Sequence, residues 1–462
     1  MHNRRDFLIR TTAAIGATVL APGLFTGCLN VVRREGTGSG WTLVPEILGR
    51  IRPPEFPARD FAVTAHGADA TGEEDSTTAF AGAIAACHAA GGGRVIVPSG
   101  SFLTGPIHLR SNVNLQVDEG ATIRFSRDPE AFLPAVESRW EGVELWNYSP
   151  FVYAVDAQNV ALTGKGVLDG QADDVHWWPW KGKTEFGWVE GAPNQLEARD
   201  RLFAMGEAGA GVATRLFGSG DYLRPNMVQF VRCRNVLIEG LTFVRSPMWV
   251  LHPVLCENVT VRSVIVDSHG PNNDGCDVES CRDVLIEDCL FDTGDDCVVM
   301  KSGRNADGRR VGVPVSNVVI RNCSMSDGHG AVVIGSEVSG GAHSIFAEDC
   351  SMDSPNLDRV LRIKTNSVRG GVIEHIYVRN AEVGEVAHAI VSVNLFYEEG
   401  DAGPYPPTVR HIALSNITSR KSEVALFLRG YERAPIRDVR LTNCRFENVS
   451  DPSVVEFVED LI

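Results

Sequence analysis

The stretch CRNVLIEGLTF (233–243) returns seven more times along the chain with the same alternation of apolar and polar residues. Self-similarity of this kind indicates a repeat architecture. The further copies are CENVTVRSVIV (256–266), CRDVLIEDCLF (281–291), VSNVVIRNCSM (315–325), AHSIFAEDCSM (342–352), IEHIYVRNAEV (373–383), VRHIALSNITS (409–419) and IRDVRLTNCRF (436–446).

Three columns of the repeat carry structural information. The fourth residue of every copy, here called the anchor, is Val or Ile, and consecutive anchors are 23 to 36 residues apart. The residue two after the anchor is apolar in every copy, and a period of two is typical of a strand. The residue before the anchor is Asn, Asp, Ser or His, types that suit a tight bend with unusual backbone angles. Short strands joined by bends, with a period near 25, predict the coils of a solenoid.

We therefore predict an all-β fold, a single-stranded right-handed parallel β-helix whose coils stack ~4.8 Å apart. A β-propeller would need a period of ~40–45 residues and hairpin turns, which the sequence does not show. The helical pattern at 76–90 predicts an N-terminal helix that caps the open end of the solenoid. Residues 171–224 break the rhythm with four tryptophans and predict a long insertion, whose indoles either plug the core or stack against sugars.

The first residues of the chain predict a targeting signal rather than part of the folded domain. A twin arginine at 4–5 precedes an apolar stretch at 13–25, which is too short and too interrupted for a membrane span of ~20 residues. The stretch resembles a twin-arginine export signal, and FTGC (25–28) resembles a lipoprotein cleavage site. An ordinary buried helix is the alternative. We expect an export signal at 1–28, a linker at 29–58 and a catalytic β-helix at 59–462.

The composition excludes two broad classes of protein. The chain has 462 residues, 43 Lys+Arg against 59 Asp+Glu, a net charge of −16 and 44% hydrophobic residues. That hydrophobic content suffices for a large core and excludes intrinsic disorder. The acidic balance excludes a general nucleic-acid binder, which needs a basic face. Contact with a membrane is expected only through a lipid on Cys28, in the periplasm or at the outer membrane of a bacterium.

The cysteines follow the repeat as well. Three share one column and three share another: Cys233, Cys256 and Cys281, then Cys289, Cys323 and Cys350. We expect free thiols packed as small hydrophobic side chains rather than disulfides. No CxxC pairs or HExxH motif indicate zinc, and we expect neither a metal nor another cofactor.

Polar residues depart from the repeat at matching places on consecutive coils. The segments are PNNDGCDVES (271–280), TGDDCVVMKSG (293–303), DGHGAVVIGSE (327–337) and LRIKTNS (361–367). Aligning the second with the third places Asp295 in register with His329, and we place Asp274 in the column of Asp295. Arg362 and Lys364 are two residues apart on one strand and share a face. Three carboxylates, Asp296 included, are thus expected to converge with one imidazole and two cations.

This set of side chains suits hydrolysis of a glycosidic bond. One carboxyl group must be protonated to assist the leaving oxygen, and another must stay ionised to activate water. Asp295 and Asp296 are adjacent, so we expect a bend at Gly294 to present both. A carboxylate separation of ~6.5–9.5 Å is within reach of Asp274 and would imply inversion. Arg362 and Lys364 would hold a carboxylate of the substrate.

These motifs resemble the four marks of glycoside hydrolase family 28, the polygalacturonase-type enzymes. The marks are Asn-Thr-Asp, Asp-Asp, Gly-His-Gly and Arg-Ile-Lys, and this chain carries them at 272–274, 295–296, 328–330 and 362–364. One residue departs from the pattern, because Asn273 stands where the family has Thr. The similarity extends over roughly 60–450, including the start HGADATGEEDST (66–77).

The resemblance implies roles for individual residues. Asp295 would be the general acid, Asp274 and Asp296 would position and deprotonate the water, and His329 would tune the acid through a hydrogen bond. A galacturonate carboxylate would bind to Arg362 and Lys364. The full set of expected substrate-binding residues is Arg362, Lys364, Asn272, Tyr397 and Lys301, the last because it shares the column of Lys364.

The expected function is that of an exported, inverting hydrolase that cleaves galacturonic-acid linkages in pectin, on homogalacturonan or rhamnogalacturonan-derived oligomers. We expect exo action because the insertion 171–224 and the loop 303–315 could close one end of the cleft. A local basic cluster would offset the acidic protein: Lys301, Arg304, Arg309, Arg310, Arg362, Lys364 and Arg369. Two alternatives stay open, a polysaccharide lyase, which would need a Ca²⁺-binding carboxylate cluster, and a non-catalytic glycan-binding β-helix.

Overall fold

The computed structural model describes residues 29–31 and 40–462, and it confirms the predicted parallel β-helix. Each coil runs through three short strands, which pair in parallel with their counterparts on the next coil to form three long sheets. We call them the anchor sheet, which carries the anchors, the middle sheet and the site sheet, in the order in which a coil visits them.

Within the described residues the three sheets have 13, 12 and 11 strands. The anchor sheet contains Asp60–Ala62, Gly93–Val97, Val113–Val117, Gln158–Gly164, Arg234–Glu239, Glu257–Arg262, Arg282–Glu287, Val315–Arg321, Ala342–Glu348, Val372–Arg379, Thr408–Ser415, Ile436–Thr442 and Val458–Leu461. The middle sheet contains Leu29–Val31, Gly100–Thr104, Ala121–Phe125, Val167–Asp169, Thr242–Val244, Ile265–Ser268, Leu290–Thr293, Ser324–Met325, Ser351–Met352, Glu382–Glu385, Thr418–Lys421 and Cys444–Phe446. The site sheet contains Ile107–His108, Val152–Val155, Val228–Val231, Leu251–Val254, Cys276–Glu279, Val298–Lys301, Val332–Gly335, Arg359–Lys364, Ala389–Asn394, Val424–Arg429 and Val454–Glu456.

The register of the anchor sheet follows the sequence columns. All eight anchors fall on one ladder, in which each anchor pairs with the anchor of the next coil. The residue before each anchor has φ between 53° and 59°, the left-handed conformation that the Asn, Asp, Ser and His column predicted. Asn side chains at this bend also bond to one another, as when Nδ2 of Asn258 donates to Oδ1 of Asn235 at 2.8 Å.

The core is a column of stacked side chains enclosed by the three sheets. The anchors and the residues two and five positions after them are buried in every coil. The ten cysteines among the described residues are buried and free, as predicted. Burial of identical positions in successive coils lets each side chain pack on its counterpart above and below.

Helices and turns complete the solenoid. The helices are Val44–Arg50, Thr77–Ala89, Leu196–Glu207 and Asn305–Val311, and short 3₁₀ turns occur at Gly40–Leu43, Val63–His66, Pro129–Phe132, Trp178–Lys181, Thr184–Phe186 and Val212–Thr214. Thr77–Ala89 matches the predicted capping helix to within one residue at each end. It buries Phe80, Ile84 and Cys87 in the end of the core.

Part of the expected linker at 29–58 is a docked arm. Trp41, Val44 and Ile47 are buried against the outer face of the anchor sheet, where they meet Leu285 and Phe346. Spacings of three residues place these apolar side chains on one helical face, which the sequence-level emphasis on Gly, Arg and Pro overlooked. Further upstream, Leu29–Val31 pairs antiparallel with Cys444–Phe446 near the other end of the solenoid. Residues 1–28, with the expected export signal, lie outside the described residues.

The insertion forms a second layer beside the site sheet. Its helix Leu196–Glu207 and the hairpin Val136–Trp140 with Val143–Asn147 share a small apolar cluster that includes Trp249. Trp177 is only 2% exposed and packs edge-on against Phe132, so this indole plugs the core rather than offering a sugar platform. No helix in the described part of the chain is long and apolar enough to cross a membrane.

A cavity mutation tests the stacked core. Ile376 is fully buried on the anchor ladder between Ile345 and Ile412, so we expect Ile376→Ala to destabilise the fold by about 2–5 kcal/mol. The matched control is Ile265→Ala on the middle sheet, where the side chain is 43% exposed, with an expected cost of about 0.5 kcal/mol or less. Urea denaturation followed by circular dichroism measures both. Equal midpoints for the two variants would contradict the ladder.

Candidate active site

Asp295 and Asp296 lie on a bend between the middle sheet and the site sheet. Gly294 packs so closely against the preceding coil that an added Cβ would lie 2.7 Å from the carbonyl oxygen of Gly270. The bend directs both carboxylates to the same side, toward the coils that follow. Asp295 contacts His329 there, and Asp296 contacts Arg362 and Lys364. The expectation that a bend at Gly294 presents both residues is therefore met.

Asp274 belongs to a different column from the one assigned by sequence. Cys276 pairs with Val298, and Glu279 with Lys301, a shift of 22 residues between the two coils. Asp274 therefore stacks on Asp296 rather than on Asp295, and the placement in the column of Asp295 was wrong by one residue. A shift of 21 residues, which would put Asp274 on Asp295 (295 − 274 = 21), does not fit the pairing of the strand that follows. The register of Asp295 with His329 holds, since Val298 pairs with Val332.

The glycines beside His329 allow the coils to approach. Gly328 has φ of 146°, and a Cβ there would lie 2.5 Å from the carbonyl oxygen of Asp295. The close approach lets the backbone N–H of His329 donate to that same carbonyl at 3.0 Å. The ring Nδ1 of His329 then lies 2.9 Å from Oδ1 of Asp295, with the imidazole exposed to the cleft. A larger residue than glycine would push the imidazole away from this carboxylate.

Asp296 is held by two cations from the strand Arg359–Lys364. Arg362 Nη1 donates to Oδ1 at 2.9 Å, and Lys364 Nζ donates to Oδ2 at 2.6 Å. The Asp296 side chain is fully buried, and the side chains of Arg362 and Lys364 are only 13% and 10% exposed. Charge-assisted bonds of this length in a buried site are strong. They fix Asp296 as an ionised carboxylate beneath the two cations.

The three carboxyl groups have different pKa values because their surroundings differ. Burial, together with the charges of Asp277 and Asp295, raises the pKa of Asp274 well above its ordinary value. Burial also opposes ionisation of Asp295, but the hydrogen bond to His329 and the nearby cations hold its pKa below the ordinary value. Lys364 and Arg362 do the same for the pKa of Asp296. Of these three carboxyl groups, Asp274 therefore has the strongest tendency to hold a proton in the free protein.

The carboxylates are closer together than expected. Asp274, Asp295 and Asp296 each bring one oxygen within 4.8 Å of the others. The expected separation of ~6.5–9.5 Å was wrong, because two of these residues are adjacent in sequence and the third lies directly on the neighbouring coil.

Three groups of side chains among the described residues bring potential metal ligands together. They are Asp274, Asp295 and Asp296; Asp267, His269 and Asp292; and Glu374, His375 and His411. In the first group Arg362, Lys364 and Lys301 already supply positive charge to the carboxylates. His269, which flanks the site, is engaged by Asp292 at 3.2 Å.

Lys301 lies beneath the site rather than in the cleft. It is 2% exposed, and its Nζ is 3.0 Å from Glu337, 3.5 Å from Asp277 and 4.0 Å from Asp274. A substrate cannot reach this ammonium directly, so the expectation that Lys301 binds substrate is not met by its position. Lys301 does share the ladder position of Lys364, but its ammonium lies among the buried carboxylates of Glu337, Asp277 and Asp274.

The expected basic cluster is largely neutralised within the protein. Arg304 pairs with Glu337 at 3.2 Å, Arg310 with Asp307 at 2.9 Å and Arg369 with Glu398 at 2.6 Å. Sequence position reveals the number of cations near the cleft but not the acidic partners that the fold brings to them. Arg309 instead donates to the carbonyl oxygens of Val368 and Arg369.

Two further expected residues reach the site. The ring of Tyr397 lies 5.8 Å from the guanidinium carbon of Arg362 and 5.5 Å from Nζ of Lys364, so it covers both cations. Asn272 has φ of 55° and lies two residues before Asp274. Its Oδ1 accepts hydrogen bonds from Lys181 at 2.7 Å and from Arg224 at 2.8 Å.

Sequence reasoning missed three residues of this neighbourhood. Lys181 and Arg224 come from the insertion, where no repeat or spacing signals proximity to the coils. Asp277 is fully buried beside Lys301, and its position three residues after Asp274 on a site strand was the one available signal. His252, in contrast, is a core residue held by Glu279 at 2.8 Å and by Asn226 at 2.9 Å.

Comparison with known proteins places this fold and site in a family. The model for glycosyl hydrolases family 28 matches residues 217–457. A structure described as a hyperthermoactive exopolygalacturonase from Thermotoga maritima is 46% identical, with a TM-score of 0.89 over 92% of this chain and 96% of that one. The chain belongs to glycosyl hydrolases family 28.

Two curated relatives are more distant. A probable polygalacturonase of Vitis vinifera is 27% identical over 76% of this chain, and an exo-poly-alpha-D-galacturonosidase of Dickeya chrysanthemi is 29% identical over 73% of it. The matches span 66% and 57% of the length of those two relatives.

The bond between His329 and Asp295 can be tested by titration. Asp295 raises the pKa of His329 above the ordinary 6.5 by accepting its hydrogen bond. In Asp295→Asn the partner loses its charge while burial still opposes the imidazolium, so the pKa should fall to 6.5 or below. NMR of histidine-labelled protein measures both values, and the signal is assigned by its absence in His329→Gln. An unchanged pKa in Asp295→Asn would contradict the pair.

Proposed function

We propose that this protein is an exported, inverting and exo-acting hydrolase of the galacturonic-acid linkages of pectin, on homogalacturonan or rhamnogalacturonan-derived oligomers. The observation that carries the proposal is the meeting of Asp274, Asp295 and Asp296 within 4.8 Å, beside Arg362 and Lys364. The carboxylates supply acid and base for glycosidic cleavage, and the two cations suit a sugar acid. Family membership and the names of the relatives support the same substrate.

Exposure separates the roles of the carboxylates. The side chain of Asp295 is 18% exposed, whereas those of Asp274 and Asp296 are 4% and 0% exposed. Asp295 is therefore the carboxyl group that a glycosidic oxygen can touch, and we assign it as the general acid. Asp274 and Asp296, deeper in the site, would hold the attacking water and take up its proton.

Substrate binding gives Asp295 the proton that the acid needs. The hydrogen bond to His329, together with Lys364 and Arg362, keeps the pKa of Asp295 low, so a galacturonate carboxylate that neutralises the two cations raises it. The three carboxylates lie within 4.8 Å and influence one another's ionisation, so Asp295 then takes up the proton that Asp274 favours in the free protein. Asp295 gives that proton to the leaving oxygen, and Asp274 with Asp296 accepts one from the water that attacks the anomeric carbon. His329, bonded to Asp295, holds the acid in place and tunes it.

Burial of Asp274 and Asp296 favours inversion. A retaining enzyme needs a carboxylate oxygen that bonds directly to the anomeric carbon. Asp296 is covered by Arg362 and Lys364, and Asp274 is almost as deeply buried, so neither offers such an oxygen to the sugar. A water molecule between them and the sugar can reach the carbon instead, which inverts its configuration.

The packing of the insertion favours exo action. Helix Leu196–Glu207 contacts helix Asn305–Val311 of the loop 303–315, and Arg215 pairs with Asp307 at 2.9 Å between them. Both side chains of this ion pair are buried, which joins the insertion and the loop into one wall beside the site sheet. A wall at one end of the cleft admits a chain end but not the middle of a long polymer.

Analysis of reaction products tests this function. On polygalacturonic acid we expect galacturonate or short oligomers from the earliest times, with the anomer opposite to that of the substrate in fresh ¹H NMR spectra. Asp295→Asn should lower kcat by about 10²–10⁴-fold, because the general acid is lost. The control Asp288→Asn changes an exposed residue whose left-handed φ of 57° an Asn tolerates, and should leave kcat unchanged.

Other products would contradict parts of the proposal. Long oligomers released early would exclude exo action, and retained configuration would exclude inversion. An unsaturated product absorbing in the ultraviolet, lost on chelation, would indicate a lyase. Binding of galacturonan without any cleavage would indicate a glycan-binding β-helix.

The export signal at 1–28 and the lipid on Cys28 are also proposed from sequence. The twin arginine, the apolar stretch and FTGC support them. In a bacterium with twin-arginine export, we expect palmitate label on the wild-type protein and none on Cys28→Ser, because that thiol would be the acylated group. Unlabelled wild-type protein would contradict the lipid, and an unprocessed cytoplasmic chain would contradict export.

A further inference from the structure

Among the residues that the structure describes, buried lysines and arginines are paired with carboxylates, with one exception. The described residues include seven buried lysines and arginines: Arg139, Arg215, Arg224, Lys301, Arg304, Lys364 and Arg369. Six of them have a carboxylate oxygen within 4.0 Å. Arg224 has none, although it is fully buried. Its partners are the neutral oxygens of Gln195, Pro247, Pro271 and Asn272.

Lys181, which shares Asn272 as a partner with Arg224, is a second cation without a carboxylate partner in the described structure. The half-buried Lys181 donates to Oδ1 of Asn272 at 2.7 Å and, in the described structure, has no carboxylate within 4.0 Å. Among the carboxylates, Glu141 has the largest electrostatic effect on Lys181, but it is engaged by Arg199 at 3.1 Å. Burial of an uncompensated charge is costly, so two of them side by side indicate a missing anion.

The hydrogen-bonding groups that Lys181, Arg224 and Asn272 can offer to a ligand are all donors. Oδ1 of Asn272 is occupied by Lys181 and Arg224, which leaves Nδ2 of Asn272 as the free end of the amide. No hydrogen bond from this Nδ2 is found among the described residues. An ammonium and an amide N–H₂, with a guanidinium behind them, form stronger charge-assisted hydrogen bonds with a carboxylate than with a neutral hydroxyl. Burial lowers the pKa of Lys181, and the negative charge of a bound carboxylate would oppose that shift.

The turn that carries Lys181 and the strand that carries Arg362 and Lys364 lie on opposite sides of the catalytic carboxylates. Trp178 packs against Gly270, where an added Cβ would lie 2.2 Å from its Nε1, and this Nε1 donates to the carbonyl of Ser246 at 2.9 Å. These contacts dock the turn Trp178–Lys181 on the coils before Asp295. Arg362 and Lys364 lie on a coil after Asp295. The carboxylates that would cleave the bond therefore lie between two separate places for a sugar acid.

We propose that Lys181 and Asn272 bind the carboxylate of the galacturonate residue on the opposite side of the cleaved bond from Arg362 and Lys364, with Arg224 as the positioning residue. This inference rests on the proposed hydrolysis of galacturonan and makes the enzyme specific for a free acid on both sides of the bond. The proposed exo action, in which the insertion forms the closed end of the cleft, makes the residue bound there the terminal one.

Kinetics on esterified dimers test the assignment. The substrates are digalacturonate and its two monomethyl esters, one at each residue, and the variant is Lys181→Met. Wild-type protein should discriminate against both esters. Lys181→Met should lower kcat/KM for the free dimer by about 10- to 100-fold and lose discrimination against one ester only, because only one carboxylate meets Lys181. Lys183→Met is the control, since Lys183 lies in the same insertion but is exposed and pairs with Glu185.

A binding measurement separates recognition from chemistry. In an Asp295→Asn background, calorimetry should show weaker binding of trigalacturonate when Lys181→Met is added and no change when Lys183→Met is added. Equal kinetics of Lys181→Met and wild type on all three dimers would overturn the inference alone. So would loss of discrimination against both esters, which indicates a general structural effect. Wild-type protein that cleaves no dimer or longer galacturonate would overturn the proposed function itself.

Discussion

The parallel hydrogen-bond ladder between successive coils is the constraint on which the site depends. It holds each coil ~4.8 Å from the next, so residues at the same point of neighbouring coils must meet. Asp274 stacks on Asp296 for this reason, and His329 stacks on Asp295. The fold thereby crowds three carboxylates within 4.8 Å, a concentration of negative charge that an isolated chain would never tolerate.

The rest of the site balances that charge. Arg362 and Lys364 bind Asp296 from two coils further along, His329 binds Asp295 from the next coil, and Lys301 lies beside Asp274 and Asp277. Removal of water makes each of these pairs strong, and the unequal surroundings separate the pKa values of otherwise identical aspartates. The side chains of Arg362 and Lys364, which bind Asp296, remain 13% and 10% exposed, and under the proposed function they also bind the sugar acid.

The insertion adds what a plain solenoid lacks. Coils alone form an open groove along the axis, whereas the hairpin, the helix Leu196–Glu207 and the helix Asn305–Val311 build a wall beside it. The wall also carries Lys181 and Arg224 to the edge of the catalytic group. In an acidic protein whose other buried cations are neutralised, these two retain positive charge where an acidic substrate would need it.

The sequence by itself determined the coil, because burial and left-handed bends recur at every turn of a solenoid and leave a column for each position. Val236 and its counterparts, the bend residues such as Asn258, and the free cysteines could all be placed from these columns. The convergence of Asp295, Asp296, His329, Arg362 and Lys364 followed from the same spacing. Only the tertiary structure decided that Asp274 stacks on Asp296 rather than on Asp295. It also decided which carboxylates pair with Lys301 and Arg304, and that Lys181 and Arg224 of the insertion contact Asn272. Register depends on backbone pairing across two coils, and ion pairs and insertions join residues distant in sequence, so no local pattern records them.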